Sequence, residues 1–259
     1  MFKNKTLLIK FVVRSHHLDS KLQAGLFKLS PSQTPLEIAL ALTHGQLDRW
    51  LTIPEGFRRE QIAELLAQNF HISSQQFLQL TQDKEGYLFP DTYLIPVSAQ
   101  PQQVVDLLLQ NYHRQTQPLT TLFKQSSLTE KQVLTLASIV ERETLSDQEK
   151  PIVAGILLKR LQHDWPLQVD ATIQYILGKP GQWWPVPTLA DRQIESPYNT
   201  YLHQGLPPTP IANPGLASIK AVLQPQSTQY WFYIHDRQGK IHYAVTSEQH
   251  QHNIQTYLR

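Results

Sequence analysis

The sequence predicts an α+β protein: a small α/β module followed by a mixed α+β domain that carries a C-terminal β-hairpin. Three observations predict it. Strand–turn–helix patterns occupy residues 25–46 and again 50–69. A capped amphipathic helix starts at Thr129. Two β-rich runs, YWFYIH and KIHYAVT, flank a turn at Asp236–Gly239 near the end of the chain.

The first residues, MFKNKTLLIKFVVRSHH, read as an amphipathic helix with Leu7, Leu8, Phe11 and Val12 on one face. The run Leu7–Val13 is broken by Lys10 and falls far short of the roughly 20 apolar residues that span a bilayer. Its basic flank of Lys3, Lys5, Lys10 and Arg14 suits an anionic membrane surface or, more simply, an ordinary solvated face. Next, GLFKLS reads as a strand and TPLEIALALTHG as a helix, with Thr34 at its cap, Pro35 at its first position and Gly45 at its end. WLTIPEG and REQIAELLAQNF repeat that plan. The stretch Gln100–Gln117 is a helix with Val104, Val105, Leu108 and Leu109 on its apolar face. Thr129 and Gln132 form a capping box ahead of VLTLASIVERE, and a helix over Gln148–Leu161 follows. Residues 163–215, rich in Pro, Trp, Tyr and Gly, read as ordered loops shaped for a ligand, and a polar helix ends the chain.

Composition narrows the function. The 259 residues hold 23 Lys+Arg against 21 Asp+Glu, so no bulk nucleic-acid footprint is present. The absence of Cys removes thiolate metal sites and thiol nucleophiles. Charged residues are only 17%, and polarity is carried by 31 Gln, a hydrogen-bonding surface more than an ion-paired one. Phosphate-binding glycine loops, G-x-S-x-G and H-E-x-x-H are absent. His242, His250 and His252 lack the carboxylate pattern of a metal site, so no metal is expected.

Four clusters could carry chemistry. Glu85 to Tyr93 sets two carboxylates, Glu85 and Asp91, among aromatics, as in a sugar-facing wall or simply a turn between strands. On the helix from Thr129, Val133, Leu136, Ala137 and Val140 define a buried arc. Glu141 and Glu143 fall on its two flanks and Arg142 on the polar side. A carboxyl held against apolar groups has a raised pKa, which a general acid near neutral pH requires. Periodicity does not choose between Glu141 and Glu143, and either could instead pair with a nearby Lys or Arg. Asp170 lies in VDAT, and Tyr198, Asn199, Thr200 and Tyr201 precede the stiff loop GLPPTPIANPG. Flat rings stack on pyranoses, and Asn and Asp bind hydroxyls and acetamido groups.

In order and spacing, EGYLFPDTY, LASIVERET, VDATIQY, SPYNTY, GLPPTPIANPG and the terminal HYAVTSEQH resemble the endolytic murein transglycosylases of the YceG-like family. The likeness runs from about Gly25 to the C-terminus, with Thr209 where the family commonly has Gly and Ala244 where Ser is usual. The resemblance implies that Glu141, the first Glu of its motif, is the catalytic acid. It implies substrate-binding roles for Glu85, Asp91, Asp170, Tyr198, Asn199 and Thr200. It further implies a LysM-like module over residues 1–79, a transglycosylase domain over 80–259, and no metal or organic cofactor. The implied activity is cleavage of the bond between N-acetylmuramic acid and N-acetylglucosamine within peptidoglycan strands. That cleavage leaves 1,6-anhydro ends and terminates strand elongation, with cell-wall synthases as partners. A lysozyme-type hydrolase and a non-catalytic peptidoglycan-binding scaffold are the alternatives. Family members carry an N-terminal membrane anchor that places them on the outer side of the cytoplasmic membrane. With Leu7–Val13 too short for one, the expectation is a truncated reading frame or an unusual soluble member.

Overall fold

The computed structural model describes residues 3–22, 27, 29–43 and 48–258. Gly25, Leu26 and Lys28 of the expected first strand, and the expected helix end at Gly45, lie outside the described residues. The fold is mixed α+β, with two compact units: residues 1–52 with 92–100, and residues 53–91 with 101–259. The boundary expected at 79/80 falls inside the second unit.

In the first unit, α1 (Lys3–Ser15) packs with α2 (Pro35–Thr43) through Val13, Leu18 and Ala39, with Ile9 and Val12 alongside. The expected helix is present but its inner face is not the expected one. Leu8 and Phe11 are exposed, because the partner helix meets the arc of Ile9, Val12 and Val13. Strand β1 (Asp48–Thr52) pairs antiparallel with β2 (Thr92–Pro96), with Trp50 opposite Leu94. Among the described residues no helix is long and apolar enough to cross a membrane.

The second unit holds α3 (Arg59–Phe70), α4 (Ser74–Leu80), α5 (Pro101–Thr116), α6 (Thr120–Gln125), α7 (Glu130–Glu143), α8 (Lys150–Gln162), α9 (Asp170–Leu177) and α10 (Leu216–Leu223). The hairpin β3 (Phe232–His235) and β4 (Ile241–Ala244) follows, and α11 (Ser247–Tyr257) is last. The capping box forms as the sequence predicts: the Thr129 side chain accepts from the Gln132 amide, and Gln132 returns the bond to the cap backbone. α5 buries Val104, Val105 and Leu108 as its periodicity predicts, and Asn111 and Tyr112 besides.

α7 is the centre of this unit. Every residue from Val133 to Val140 is buried, not only the expected arc. α8 contributes Val153, Ala154 and Leu157 to the surrounding core, α10 contributes Ile219 and Val222, and the start of α9 contributes Ala171. A helix apolar all round is a buried one, and each Leu, Ile or Val so placed stabilises by about 1.5–3 kcal/mol. The consequence is local: residues at the C-terminal end of α7 meet protein in whichever direction they point.

The loop from 207 to 215 is threaded against this helix by buried polar groups. Ser138 Oγ accepts from the Ile211 amide at 3.0 Å. Asn213, fully buried, uses all its hydrogen-bonding capacity. Its Oδ1 accepts from the amides of Gly86 (2.8 Å) and Leu88 (2.9 Å), and its Nδ2 donates to Phe57 O (2.9 Å) and Glu85 Oε1 (2.8 Å). Gly86 has φ +89°, and a Cβ there would lie 2.6 Å from Pro210, so both backbone and space demand glycine.

Candidate active site

Glu141 and Glu143 leave the end of α7 about 200° apart at 100° per residue, and they meet different surroundings. Glu141 is held at both oxygens. Its Oε2 accepts from the Gly215 amide at 2.9 Å and from Ser218 Oγ at 2.7 Å, both at the start of α10. Its Oε1 lies 3.3 Å from Nζ of the buried Lys150, which also reaches Asp147 at 2.9 Å and Glu55 at 3.9 Å. These contacts tie α7, α8 and α10 together. Arg142, expected on the polar side, lies 4.0 Å over the Trp184 ring.

Glu143 faces a cavity of about 520 Å³, inside the range of roughly 300–1,000 Å³ that ligand sites occupy. Asp170, Arg192, Tyr201, Tyr233 and His250 share its walls. Tyr233 OH donates to Glu143 Oε2 at 2.9 Å and the Ala171 amide to Oε1 at 3.3 Å. Burial raises the Glu143 pKa above the ordinary carboxylate value. The two donors pull it down, and the charge of Asp170 pushes it up again.

Asp170 starts α9 and is held in place by a fork. Arg192 Nε donates to its Oδ1 at 3.2 Å and Nη2 to its Oδ2 at 3.1 Å, while Tyr201 OH donates to Oδ1 at 2.7 Å. Asn199 and Thr200 shape the segment that supplies these partners. Buried Asn199 donates to the carbonyls of Arg192 and Ile194 and accepts from the Tyr201 amide. Thr200 Oγ1 accepts from the Val169 amide at 3.1 Å, and its carbonyl takes the Gln168 amide. The two residues therefore position the site rather than line it. On the hairpin side, buried Arg160 donates to the carbonyls of Trp231 and Leu167, anchoring the strand that presents Tyr233.

Of the residues expected to touch a ligand, Asp170 and Tyr201 line this cavity, and Glu141, Glu85, Asp91, Tyr198, Asn199 and Thr200 do not. Glu85 is buried beneath the loops, accepting from the Arg59 amide and Asn213. Asp91 accepts from Asn111 Nδ2 at 3.0 Å. The Tyr198 hydroxyl bonds Thr209 Oγ1 at 2.6 Å and its ring leans on Tyr175. Arg192, Tyr233 and His250 were not singled out as ligand-facing by the sequence. They lie far apart along the chain, and no periodic pattern joins them. The His242–His250–His252 group has a plain outcome as well: His242 Nε2 bonds Asp236 at 2.8 Å, and His250 turns to the cavity.

The profile of the YceG-like family matches residues 1–256. The chain belongs to the YceG-like family. This YceG-like chain is 30% identical to a protein of Streptococcus pneumoniae serotype 2 (strain D39) named endolytic murein transglycosylase, over 92% of this chain and 51% of that protein. A protein of the same name from Bacillus subtilis (strain 168) is 28% identical over 92% of this chain and 74% of its own length. The YceG-like chain thus spans about half the length of its pneumococcal relative. A crystal structure of a YceG-like protein from Listeria monocytogenes shares 26% identity and a TM-score of 0.73, covering 95% of this chain and 89% of that one.

Proposed function

We propose that this chain is a lytic transglycosylase that cleaves peptidoglycan glycan strands internally, with Glu143 as its acid and base. The observation that carries the reading is the environment of Glu143: a carboxyl with a raised pKa, beside a second carboxylate, in the wall of a ligand-sized cavity. Membership of the family and the names of the relatives supply the substrate class. Both carboxylates accept hydrogen bonds on both oxygens, and we place the acid at Glu143 instead of the expected Glu141 because Glu143 lines this cavity.

Glu143, protonated, donates to the oxygen joining C1 of N-acetylmuramic acid to N-acetylglucosamine, and the C1–O bond breaks. The hydroxyl on C6 of the same muramic acid attacks C1 and closes the 1,6-anhydro ring. Its proton passes to the Glu143 carboxylate, which restores the acid, and no water is consumed. Asp170, held by Arg192 and Tyr201, places negative charge in the cavity where positive charge develops on the sugar ring. One carboxyl therefore serves both steps, unlike the two-carboxylate hydrolases.

The setting proposed is the cell envelope, on the outer side of the cytoplasmic membrane beside cell-wall synthases, where internal cleavage ends the elongation of a strand. The test is digestion of purified sacculi followed by mass spectrometry. Anhydromuramoyl ends within long products are expected. Reducing ends would establish a hydrolase, and binding without soluble product would establish a scaffold.

A further inference from the structure

The last turn of α7 carries a guanidinium that the protein fixes in place and leaves without an acceptor. Arg142 is half-buried, and its Nε is shut away from solvent with no hydrogen-bond partner among the described residues. Its terminal nitrogens, Nη1 and Nη2, hold no hydrogen bond or ion pair among the described residues either, and they are not shut away. They open to solvent. Neighbouring arginines are spent: Arg58 donates to Glu60 and the Tyr175 carbonyl, Arg160 to two carbonyls, and Arg192 to Asp170. A partly buried cation is ordinarily paired, so an unspent one calls for an explanation.

The side chain is not a loose surface arm. Its guanidinium lies 4.0 Å over the Trp184 ring, and Trp184 Nε1 donates to Gln61 Oε1 at 2.9 Å, which fixes the indole. Gly56 packs against it as well: a Cβ there would lie 3.3 Å from both Cδ and Nη1 of Arg142. The fork is therefore held before any ligand arrives, which lowers the ordering cost of binding. The carboxylates around it are engaged elsewhere. Glu141 holds Gly215, Ser218 and the buried Lys150, and Glu55 and Asp147 turn to the same lysine. Glu143 holds Tyr233 and the Ala171 amide, and burial favours its protonated form.

We propose that Arg142 is a carboxylate-binding subsite, in which Nη1 and Nη2 take a carboxylate borne on muramic acid, either that of its lactyl group or one of the attached stem peptide. The other acceptors of a glycan strand, hydroxyls and amide carbonyls, are neutral. A carboxylate matches the planar fork and forms hydrogen bonds roughly twice as strong. Arg142 directly precedes Glu143 on α7, and muramic acid recurs on every second sugar. A strand lying at Glu143 therefore brings such groups past this end of the helix. The proposal deepens the peptidoglycan reading and rests on it for the substrate. Its test uses binding, so that it does not depend on turnover.

The probe is the disaccharide of N-acetylglucosamine linked to a terminal N-acetylmuramic acid, which lacks the bond to be cleaved. It would be titrated calorimetrically into the full chain with or without its stem peptide, each form with its carboxylates free or amidated. The free form is expected to bind at least about 10-fold tighter than its amidated counterpart, about 1.4 kcal/mol. A preference seen only with the peptide places the carboxylate on the peptide, and one seen without it places it on the lactyl group. Arg142→Met, which keeps an apolar stem on Trp184, is expected to bring the ratio to near one. Arg142→Lys, which keeps the charge and loses the fork, is expected to lower it several-fold. Equal binding of free and amidated forms overturns the subsite, as does no binding by any form or a folded Arg142→Met with an unchanged ratio. If Arg142→Met does not fold, the Lys variant decides: a lowered ratio supports the subsite and an unchanged one overturns it. Absence of anhydro products from digested strands, with the carboxylate preference intact, would count against the proposed activity alone.

Discussion

Glu141 and Glu143, two residues apart on α7, are gripped from opposite sides of the helix: Ser218 Oγ donates to Glu141 at 2.7 Å, and Tyr233 OH donates to Glu143 at 2.9 Å. The first bond closes a seam between helices; the second holds a buried carboxyl in the wall of a cavity. If Glu143 is the acid, as proposed, the difference predicts a stability defect at Glu141 and a catalytic one at Glu143, and the two substitutions test it side by side.

Glu143→Gln is expected to lower the yield of anhydromuramoyl ends by about 10²–10⁴, the range of general acid–base contributions, with little change in melting temperature. Glu141→Gln is expected to keep most of the activity and to lose on the order of 1–3 kcal/mol of stability, since one oxygen facing Lys150 or Gly215 is replaced by a donor. Loss of activity at full stability in the Glu141 variant would return the catalytic role to Glu141.

Two substitutions should move the pH profile in opposite directions. The acid must be protonated to act, so the alkaline limb of the rate profile reports its pKa. Asp170 raises the Glu143 pKa, so Asp170→Asn should shift that limb to lower pH. The Tyr233 hydroxyl lowers it, so Tyr233→Phe should shift the limb to higher pH. Parallel shifts in both variants would contradict the assignment.

Glu85 links folding to pH. Burial, with the charge of Glu60 adding to it, raises its pKa from 4.5 to about 8, against the opposing Arg59 amide and the charges of Arg58 and Arg59. The native state therefore binds this proton more tightly than the unfolded chain. Its stabilising contribution is complete below pH 4.5 and is lost as pH rises through about 8. Urea midpoints should fall across that window, and Glu85→Gln, neutral at every pH, should flatten the fall.

Asn213→Ala strands the amides of Gly86 and Leu88, while Phe57 O keeps the residue 213 amide and Glu85 keeps the Arg59 amide. At about 1–3 kcal/mol for each buried group left unpaired, the variant should lose several kcal/mol. Chemical denaturation measures this directly; a loss below about 1 kcal/mol would show that water replaces the amide.

Much of this was legible from local pattern. The Thr129–Gln132 capping box, the period of α5 and the hairpin turn at Asp236–Gly239 are short-range signals, and the structure carries each of them. α9 and α10 are less legible, being eight residues each among prolines and aromatics, where too few turns exist for a period to register. The inner face of α1 was misread for a related reason: which arc is buried depends on α2, not on α1 alone.

By itself the sequence determined the α+β class, the family through its long motifs, and the carboxylate pair on one central helix as the place to look for an acid. It left the pair undivided, because helical period places Glu141 and Glu143 on two flanks of one arc and assigns neither a neighbour. Only the tertiary structure gives the two their different surroundings. Lys150, Ser218 and Gly215 come from residues 9 to 77 positions away and occupy Glu141, while Tyr233, Asp170 and a cavity converge on Glu143. Desolvation and charge act through space, so a carboxyl's chemistry follows from what surrounds it in the fold.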